Sequence, residues 1–554
     1  LPRLAGVEKS LDMITSGRQV KAAEALDMGV VDRVTEGDPE AVGLSYVSEL
    51  LAEGATRRPV SELPAAPAID WDATYNAVLQ KGRGQISPAT AVRAVQAASE
   101  LSFAEGMAKE RDLFIELMGT DQRQGMIHAF FSERAVGNLP ELKGVTPRDL
   151  KAIGVIGGGT MGAGIATAAL LSGFDVVLIE MTVEAAEAAH GRISGNLSGA
   201  LKRGKISQEK FDTLTQKALT VSTDYDSLKD VDLVVEAVFE NMDVKKEVFG
   251  KLDAVCKAGC ILASNTSYLD VDEIAAATSR PADVIGLHFF SPAHIMKLLE
   301  VVVAEQTAPD VVATGFALGK ALGKISVRAG VCDGFIGNRI LATYRTAADH
   351  MVLDGASPYQ IDKALVDFGF AMGPFAVADL AGLDIGWMTR KRKAPDRHPA
   401  ERVPTYIDRL CEEGHFGQKT GEGYYLYEAG KRAGVPNPKI SELVAAEQAE
   451  LGITPRPFTD EEIVRRYMCA MVNEAAKVVG EGIARRPLDV DMTLLFGYGF
   501  PRYWGGPMKW ADIVGLDTVL ADIEAYASED AWFWQPAPLL KKLVADGRTF
   551  DDLN

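Results

Sequence analysis

Residues 151–180 read KAIGVIGGGTMGAGIATAALLSGFDVVLIE: an apolar strand, a glycine turn, a helix, a second apolar strand and a carboxylate. Gly157, Gly159 and Gly162 fill the three places of GxGxxG, and Glu180 closes the second strand. A tight turn needs the first glycine, close approach of a pyrophosphate needs the second, and contact of helix with strand needs the third. Thr160 and Met161 lie between them in the first helical turn, where free backbone amides attract an anion. The segment therefore predicts a dinucleotide-binding βαβ unit. Glu180 narrows the choice, because a carboxylate accepts hydrogen bonds from a ribose diol and repels a 2′-phosphate. No Arg or Lys adjoins it, so the expected dinucleotide is NAD rather than NADP.

With 554 residues the chain exceeds one core and is expected to form several domains. The net charge of -19 argues against extended contact with nucleic acid. The run Arg390-Lys391-Arg392-Lys393 is the exception; it reads as a solvated loop, with contact to an anionic ligand as the alternative. Five cysteines form no zinc-like CxxC pairs and no dense disulfide pattern, which suits a reducing compartment. His288 and His294 have no third ligand in view, so no metal site is expected. There is no long uncharged apolar span, no signal-peptide pattern and no SKL-type ending, and the expected location is cytoplasmic.

The first 137 residues are helical by period, with amphipathic runs over 88–118 and 123–134 and a Pro/Ala-rich loop near 59–67. Breakers over 138–149 predict a linker. Apolar runs at 152–156, 176–179, 233–237, 261–263, 284–287 and 298–303 alternate with helical segments. That alternation predicts an α/β, Rossmann-type domain over 150–330, its sheet mostly parallel and covered on both faces.

Two all-α domains are expected after it, over 331–440 and 441–554. Gly373-Pro374, Ala378-Asp379 and Gly382-Leu383-Asp384 recur as Gly506-Pro507, Ala511-Asp512 and Gly515-Leu516-Asp517, at one constant offset (373 to 506, 133 residues). Such a repeat indicates duplication, and two similar domains in tandem can pair as subunits of a dimer would.

The chemistry falls on two strand ends. SNTS (264–267) follows one predicted strand and GLHFFSP (286–292) another, so Ser267 and His288 are expected to face the nicotinamide end of a cleft. A neutral imidazole can take an alcohol proton while hydride leaves the same carbon, and a carboxylate can orient it. Glu300 on the following strand is a plausible partner. By spacing alone, a structural histidine beside an unrelated acid is an equally good reading.

Together Gly157–Gly164, DLVVEAVFENMDVK (232–245), SNTS, GLHFFSP and DGFIGNR (333–339) resemble the L-3-hydroxyacyl-CoA dehydrogenase family over roughly 150–530. The resemblance implies His288 as catalytic base, Glu300 as its carboxylate partner, and Ser267 and Asn338 as polar contacts to the substrate oxygens. It also implies that Ala237, Glu240 and Lys245 line the nicotinamide half of the NAD site, with Asn265 beside them. The stretch Gly6–Val34 looks like the back half of a crotonase-type enoyl-CoA hydratase, and 102–134 like that fold's terminal helices. The combination resembles the bacterial-type multifunctional enzyme of fatty-acid β-oxidation. The chain opens on Leu1 without Met, and the hydratase glutamates and oxyanion hole are expected upstream of it. The resemblance implies an acyl-CoA substrate and a thiolase as a candidate partner. A dehydrogenase of a 3-hydroxy acid lacking CoA, or an NAD-binding structural or regulatory protein, are the alternatives.

Overall fold

The computed structural model describes residues 1–428, 431 and 433–554. They form two compact units, 1–124 with 367–369, and 125–366 with 370–554. In the first, helix α1 (Ile86–Glu100) brings Val92 and Val95 to a small core with Val7, Leu11, Ala66 and Trp71, and helix α2 (Phe103–Met118) follows it. The run expected over 88–118 is thus two helices. Ser102 divides them: its hydroxyl accepts from the Glu105 amide at 3.3 Å, and its own amide donates to the Glu105 carboxylate at 3.1 Å. Ser-x-x-Glu is a helix-start signature that an apolar period alone passes over. Helix α3 (Asp121–Ala135) follows.

The second unit is built on an eight-stranded sheet in the order β3-β2-β1-β4-β5-β6-β7-β8. The strands are β1 (Ala152–Ile156), β2 (Asp175–Ile179), β3 (Leu219–Ser222), β4 (Leu233–Glu236), β5 (Ile261–Ser264), β6 (Val284–Phe289), β7 (Leu298–Val302) and β8 (Ile325–Ala329). Every neighbouring pair is parallel except β6 with β7. β4 to β7 are buried along their whole length, which explains their near-continuous apolar sequences. The two strands without a predicted apolar run, β3 (LTVS) and β8 (ISVRA), are the sheet edges. An edge strand needs less apolar surface, and polar residues interrupt both.

Helices α4 (Thr160–Leu171) and α5 (Met242–Val255) follow β1 and β4. Beyond the sheet, α6 (Gly337–Leu353), α7 (Pro358–Phe368), α8 (Pro374–Ala381) and α9 (Leu383–Lys393) are echoed by α10 (Asp460–Gly480), α11 (Pro487–Gly497), α12 (Pro507–Val514) and α13 (Leu516–Tyr526). The repeated residues have a structural reason. Asp362 accepts from the first amides of α8, Phe375 and Ala376, both at 2.9 Å; Asp491 accepts from Met508 of α12 at 2.8 Å. A Cβ on Gly373 or Gly506 would lie 2.2 Å from the respective carboxylate. Asp379 accepts from the Tyr424 and Tyr425 amides, and Asp512 from those of Phe550 and Asp551. Each Gly-Pro and Ala-Asp pair is therefore a node where a carboxylate satisfies a helix start or a returning chain. The long helices α6 and α10 pack together, with the Tyr344 and Tyr467 rings 4.9 Å apart.

The basic run 390–393 is not a loop. It forms the last turn of α9, where cations oppose the negative end of the helix dipole.

Candidate active site

The order β2-β1-β4 places a switch point beyond the carboxyl ends of β1 and β4, where open sheets of this kind bind ligands. Gly157 has φ 89°, and a Cβ there would lie 2.9 Å from the Ala237 carbonyl. A Cβ on Gly162 would lie 1.8 Å from the Gly157 carbonyl, so helix and turn touch. Gly159 faces open space and caps α4, whose first turn holds Thr160 and Met161. Gly158, outside the motif's three places, is equally constrained: a Cβ there would meet Ala189 at 2.2 Å. The Glu180 carboxylate accepts from the Gly158 amide at 2.6 Å and from Met181 at 3.1 Å, which holds it beside the turn. An open cradle of amides with an acid at the second strand end fits an adenine dinucleotide, and NAD in particular.

The far half of the crevice is organised by carboxylates. Glu240 accepts from the Thr266 hydroxyl at 2.6 Å and from the Ser267 and Tyr268 amides at 2.8 and 3.1 Å, fixing the loop after β5. Lys245 is buried with its ammonium 2.8 Å from Glu236 and 3.3 Å from Glu240. Glu236, which the motifs did not single out, also accepts from Ser264 and the Val238 amide, each at 2.7 Å. Its three partners explain how a carboxylate can sit fully buried at the end of β4. The Asn265 side-chain oxygen accepts from the Phe289 amide at 2.9 Å and ties the end of β5 to that of β6.

His288 and Glu300 are direct partners in the one antiparallel register of the sheet. Opposite residues there share a face, and their side chains meet: His288 Nδ1 is 2.6 Å from Glu300 Oε2. The other Glu300 oxygen accepts from the Gly337 amide at 2.9 Å. His288 Nε2 is 3.2 Å from the Ser267 hydroxyl. Since a carboxylate accepts, Nδ1 carries a proton, so that in a neutral imidazole Nε2 is the lone-pair acceptor. Phe290 and Phe335 wall the imidazole, their ring centroids 4.5 and 5.7 Å away. Phe335 adopts φ 50°, a left-handed backbone that non-glycine residues avoid and that gathers at functional sites.

Asn338, in the first turn of α6, is held by a residue the sequence did not suggest. The hydroxyl of Tyr498, from the second helical copy, donates to Asn338 Oδ1 at 2.8 Å. The Tyr498 ring packs edge-on against Phe290, and a Cβ on Gly337 would lie 2.3 Å from it. A reader of the sequence had only the Gly497-Tyr498-Gly499 triplet as a signal.

A nucleotide crevice meeting a buried imidazole–carboxylate pair on neighbouring strands is an arrangement suited to NAD-linked oxidation of an alcohol. Residues 152–332 match the 3-hydroxyacyl-CoA dehydrogenase NAD-binding domain, and 334–427 with 463–551 match that enzyme's C-terminal domain. The chain belongs to the 3-hydroxyacyl-CoA dehydrogenase family.

It is 42% identical to the peroxisomal bifunctional enzyme of Danio rerio and 38% to that of Homo sapiens, over 99% of this chain and 78% of each relative. A glyoxysomal fatty acid β-oxidation multifunctional protein of Brassica napus is 35% identical over 99% of the chain and 77% of its own length. Among solved structures, 3-hydroxybutyryl-CoA dehydrogenase of Escherichia coli covers 72% of the chain and all of its own (TM-score 0.63, 28% identity). The dehydrogenase part of multifunctional enzyme 1 from C. elegans covers 76% and 98% (TM-score 0.56, 25% identity).

These relatives correct the cytoplasmic expectation, since they are named for peroxisomes and glyoxysomes. Composition does not separate such matrices from the cytosol, and delivery is read by receptors from short addresses. No helix among the described residues is long and apolar enough to cross a membrane.

Proposed function

We infer that the chain oxidises (S)-3-hydroxyacyl-CoA to 3-oxoacyl-CoA with NAD, and that His288 is its base. The carrying observation is the His288–Glu300 pair at 2.6 Å with Nε2 turned to the Ser267 hydroxyl at 3.2 Å. Gly157, Gly159, Gly162, Glu180 and the first-turn amides of Thr160 and Met161 would hold the adenosine and pyrophosphate. Ala237, Glu240, Lys245 and Asn265 would border the nicotinamide. NAD, when bound, supplies the acceptor for the hydride lost from substrate C3. His288 Nε2 takes the hydroxyl proton as the C–O bond becomes a carbonyl, and Glu300 stabilises the imidazolium. Ser267 and Asn338 donate to the substrate oxygens and hold the alcohol at hydrogen-bond range of Nε2.

The decisive experiment follows NADH absorbance with (S)-3-hydroxyacyl-CoA, the free 3-hydroxy acid and NADP as separate arms. Turnover only with the thioester and NAD is expected; NADH binding without turnover on any substrate overturns the reading.

A thiolase as partner rests on the resemblance, and recovery of the protein from its own cells as a lone subunit counts against it. The bacterial type is supported by motif resemblance, and a peroxisomal setting by the relatives' names. Imaging of the tagged chain in its own cell distinguishes them.

A further inference from the structure

The strands that carry His288 and Glu300 are joined by residues 290–297, the connection inside the antiparallel pair. Its first residue is Phe290, whose ring packs on the imidazole. The register of two such strands depends on their connection, so whatever holds 290–297 also sets how imidazole and carboxylate meet. Within it, the Ile295 and Met296 amides donate to the Pro292 carbonyl at 2.9 and 3.0 Å. Further support comes from outside.

Lys324 stands immediately before β8, where the Ile325 amide donates to the Lys297 carbonyl at 2.7 Å. Its ammonium donates to the carbonyls of Ala293 and Met296, the latter at 2.5 Å. Burial alone shifts its pKa, downward, and no neighbouring carboxylate offsets that. An apolar side chain of the same length would fill the space without this cost, so the two charge-assisted bonds are what the ammonium contributes. Ala293 has a second neighbour. A Cβ on Gly164 would lie 3.1 Å from the Ala293 side chain and 3.2 Å from its amide nitrogen. Gly164 belongs to α4, two residues past the last glycine of GxGxxG. Ala293 is thus held by Lys324 at its carbonyl and by the dinucleotide helix at its amide and methyl.

We propose that Lys324 is a positioning residue for the proton transfer: by fastening 290–297 it holds Phe290, and through the register of β6 with β7 the His288–Glu300 pair, in place against α4. The inference rests on the reading of His288 as the base. In this role Lys324 touches neither substrate nor cofactor; it acts through the connection it fastens. A misplacement of about 1 Å between reacting groups can cost roughly 10² fold in rate, so a fastening one loop away is visible in kcat while binding is spared.

The test compares the wild type with Lys324→Met, which fills the same length without charge or donors, and Lys324→Arg, which keeps both. Turnover of a 3-hydroxyacyl-CoA is expressed per NADH-binding site, counted by fluorescence titration, so that misfolded protein drops out. Lys324→Met is expected to lose about tenfold in kcat, with KM and NADH affinity within about twofold of wild type. Hydrogen exchange read by mass spectrometry is expected to run about tenfold faster over 290–297 in that variant, and unchanged over β1. Lys324→Arg is expected to recover both kcat and protection. A merely structural lysine would lower the number of binding sites or the Tm and leave kcat per site as it was; that result overturns the proposal. A loss of kcat with 290–297 protected as in wild type overturns it too, because the lysine would then act by another route. Should Lys324→Met not fold, Lys324→Gln, which loses charge and reach, replaces it under the same criteria. A wild type without turnover on any 3-hydroxyacyl-CoA, together with faster exchange over 290–297 in the variant, refutes the dehydrogenase reading and leaves the fastening in place.

Discussion

At the scale of single residues, the proposed chemistry depends on which nitrogen of His288 carries a proton. Replacing His288 by Ala is expected to lower kcat by roughly 10² to 10⁴ fold with little change in NADH affinity, read by steady-state turnover beside fluorescence titration. Glu300→Gln is a finer probe. An amide has one acceptor oxygen, whereas Glu300 accepts from both the imidazole and the Gly337 amide. One of the two bonds must fail, and kcat is expected to drop about 10² fold or more while KM moves little; a variant with wild-type kcat would contradict the role. Tyr498→Phe removes only the hydroxyl held by Asn338, so a loss of about fivefold in kcat/KM, the value of one hydrogen bond, is expected from progress curves. In the sequence His288 and Glu300 were singled out by the resemblance of their motifs to the dehydrogenase family, since spacing alone left a structural histidine beside an unrelated acid an equally good reading. Glu236 and Tyr498 were not visible. Glu236 reads as the last residue of an apolar strand, and its importance appears only when Lys245 and Ser264 close over it. Tyr498 is 160 residues from Asn338, and no local pattern encodes that distance.

At the scale of elements, the duplicated helices satisfy equivalent buried carboxylates by different means. In the first copy the Tyr425 hydroxyl donates to Asp362 at 2.8 Å. In the second, Asp491 is met by His128 of α3 at 2.8 Å, and the other His128 nitrogen lies 3.3 Å from Asp551, which Lys509 also pairs. Burial opposes protonation of His128, but the bonds to Asp491 and then Asp551 overcome it and push its pKa up to about 9. The sign follows by linkage. A histidine whose folded pKa is raised adds stability that is complete below about pH 6.5 and disappears as pH rises through about 9. Thermal unfolding is therefore expected to show a Tm that falls between pH 7 and 9.5, with a shallower fall in His128→Gln; identical slopes would remove the ion pair from the account. Element boundaries were legible where apolar periods were clean, as in β1 and α4. They were lost where a capping box split one period into two helices, and at edge strands too polar to register.

At the scale of the whole molecule, the second helical copy completes a site whose proposed chemistry belongs to the sheet and the first copy. Arg339, next to Asn338, donates to Glu474 at 2.7 Å and to Glu481, both on or at the end of α10. Hydrogen bonds to Glu481 and attraction to Glu474 hold the guanidinium firmly protonated against burial. Arg339→Met is expected to cost about 1 to 3 kcal/mol, because a largely buried Glu474 loses the nearer of its two cations and keeps only Lys477 at 3.4 Å, and to lower kcat through Asn338. Denaturant melts compared with turnover at saturating substrate test both halves; unchanged stability and rate would detach the copies from one another energetically.

The covalent supply of Tyr498 has one more consequence. A residue that another enzyme would borrow from a separate subunit is here delivered by the same polypeptide, so its local concentration is set by chain connectivity and not by the amount of protein present. Specific activity should accordingly stay level as the enzyme is diluted into the nanomolar range, where assemblies completed by association would fall silent.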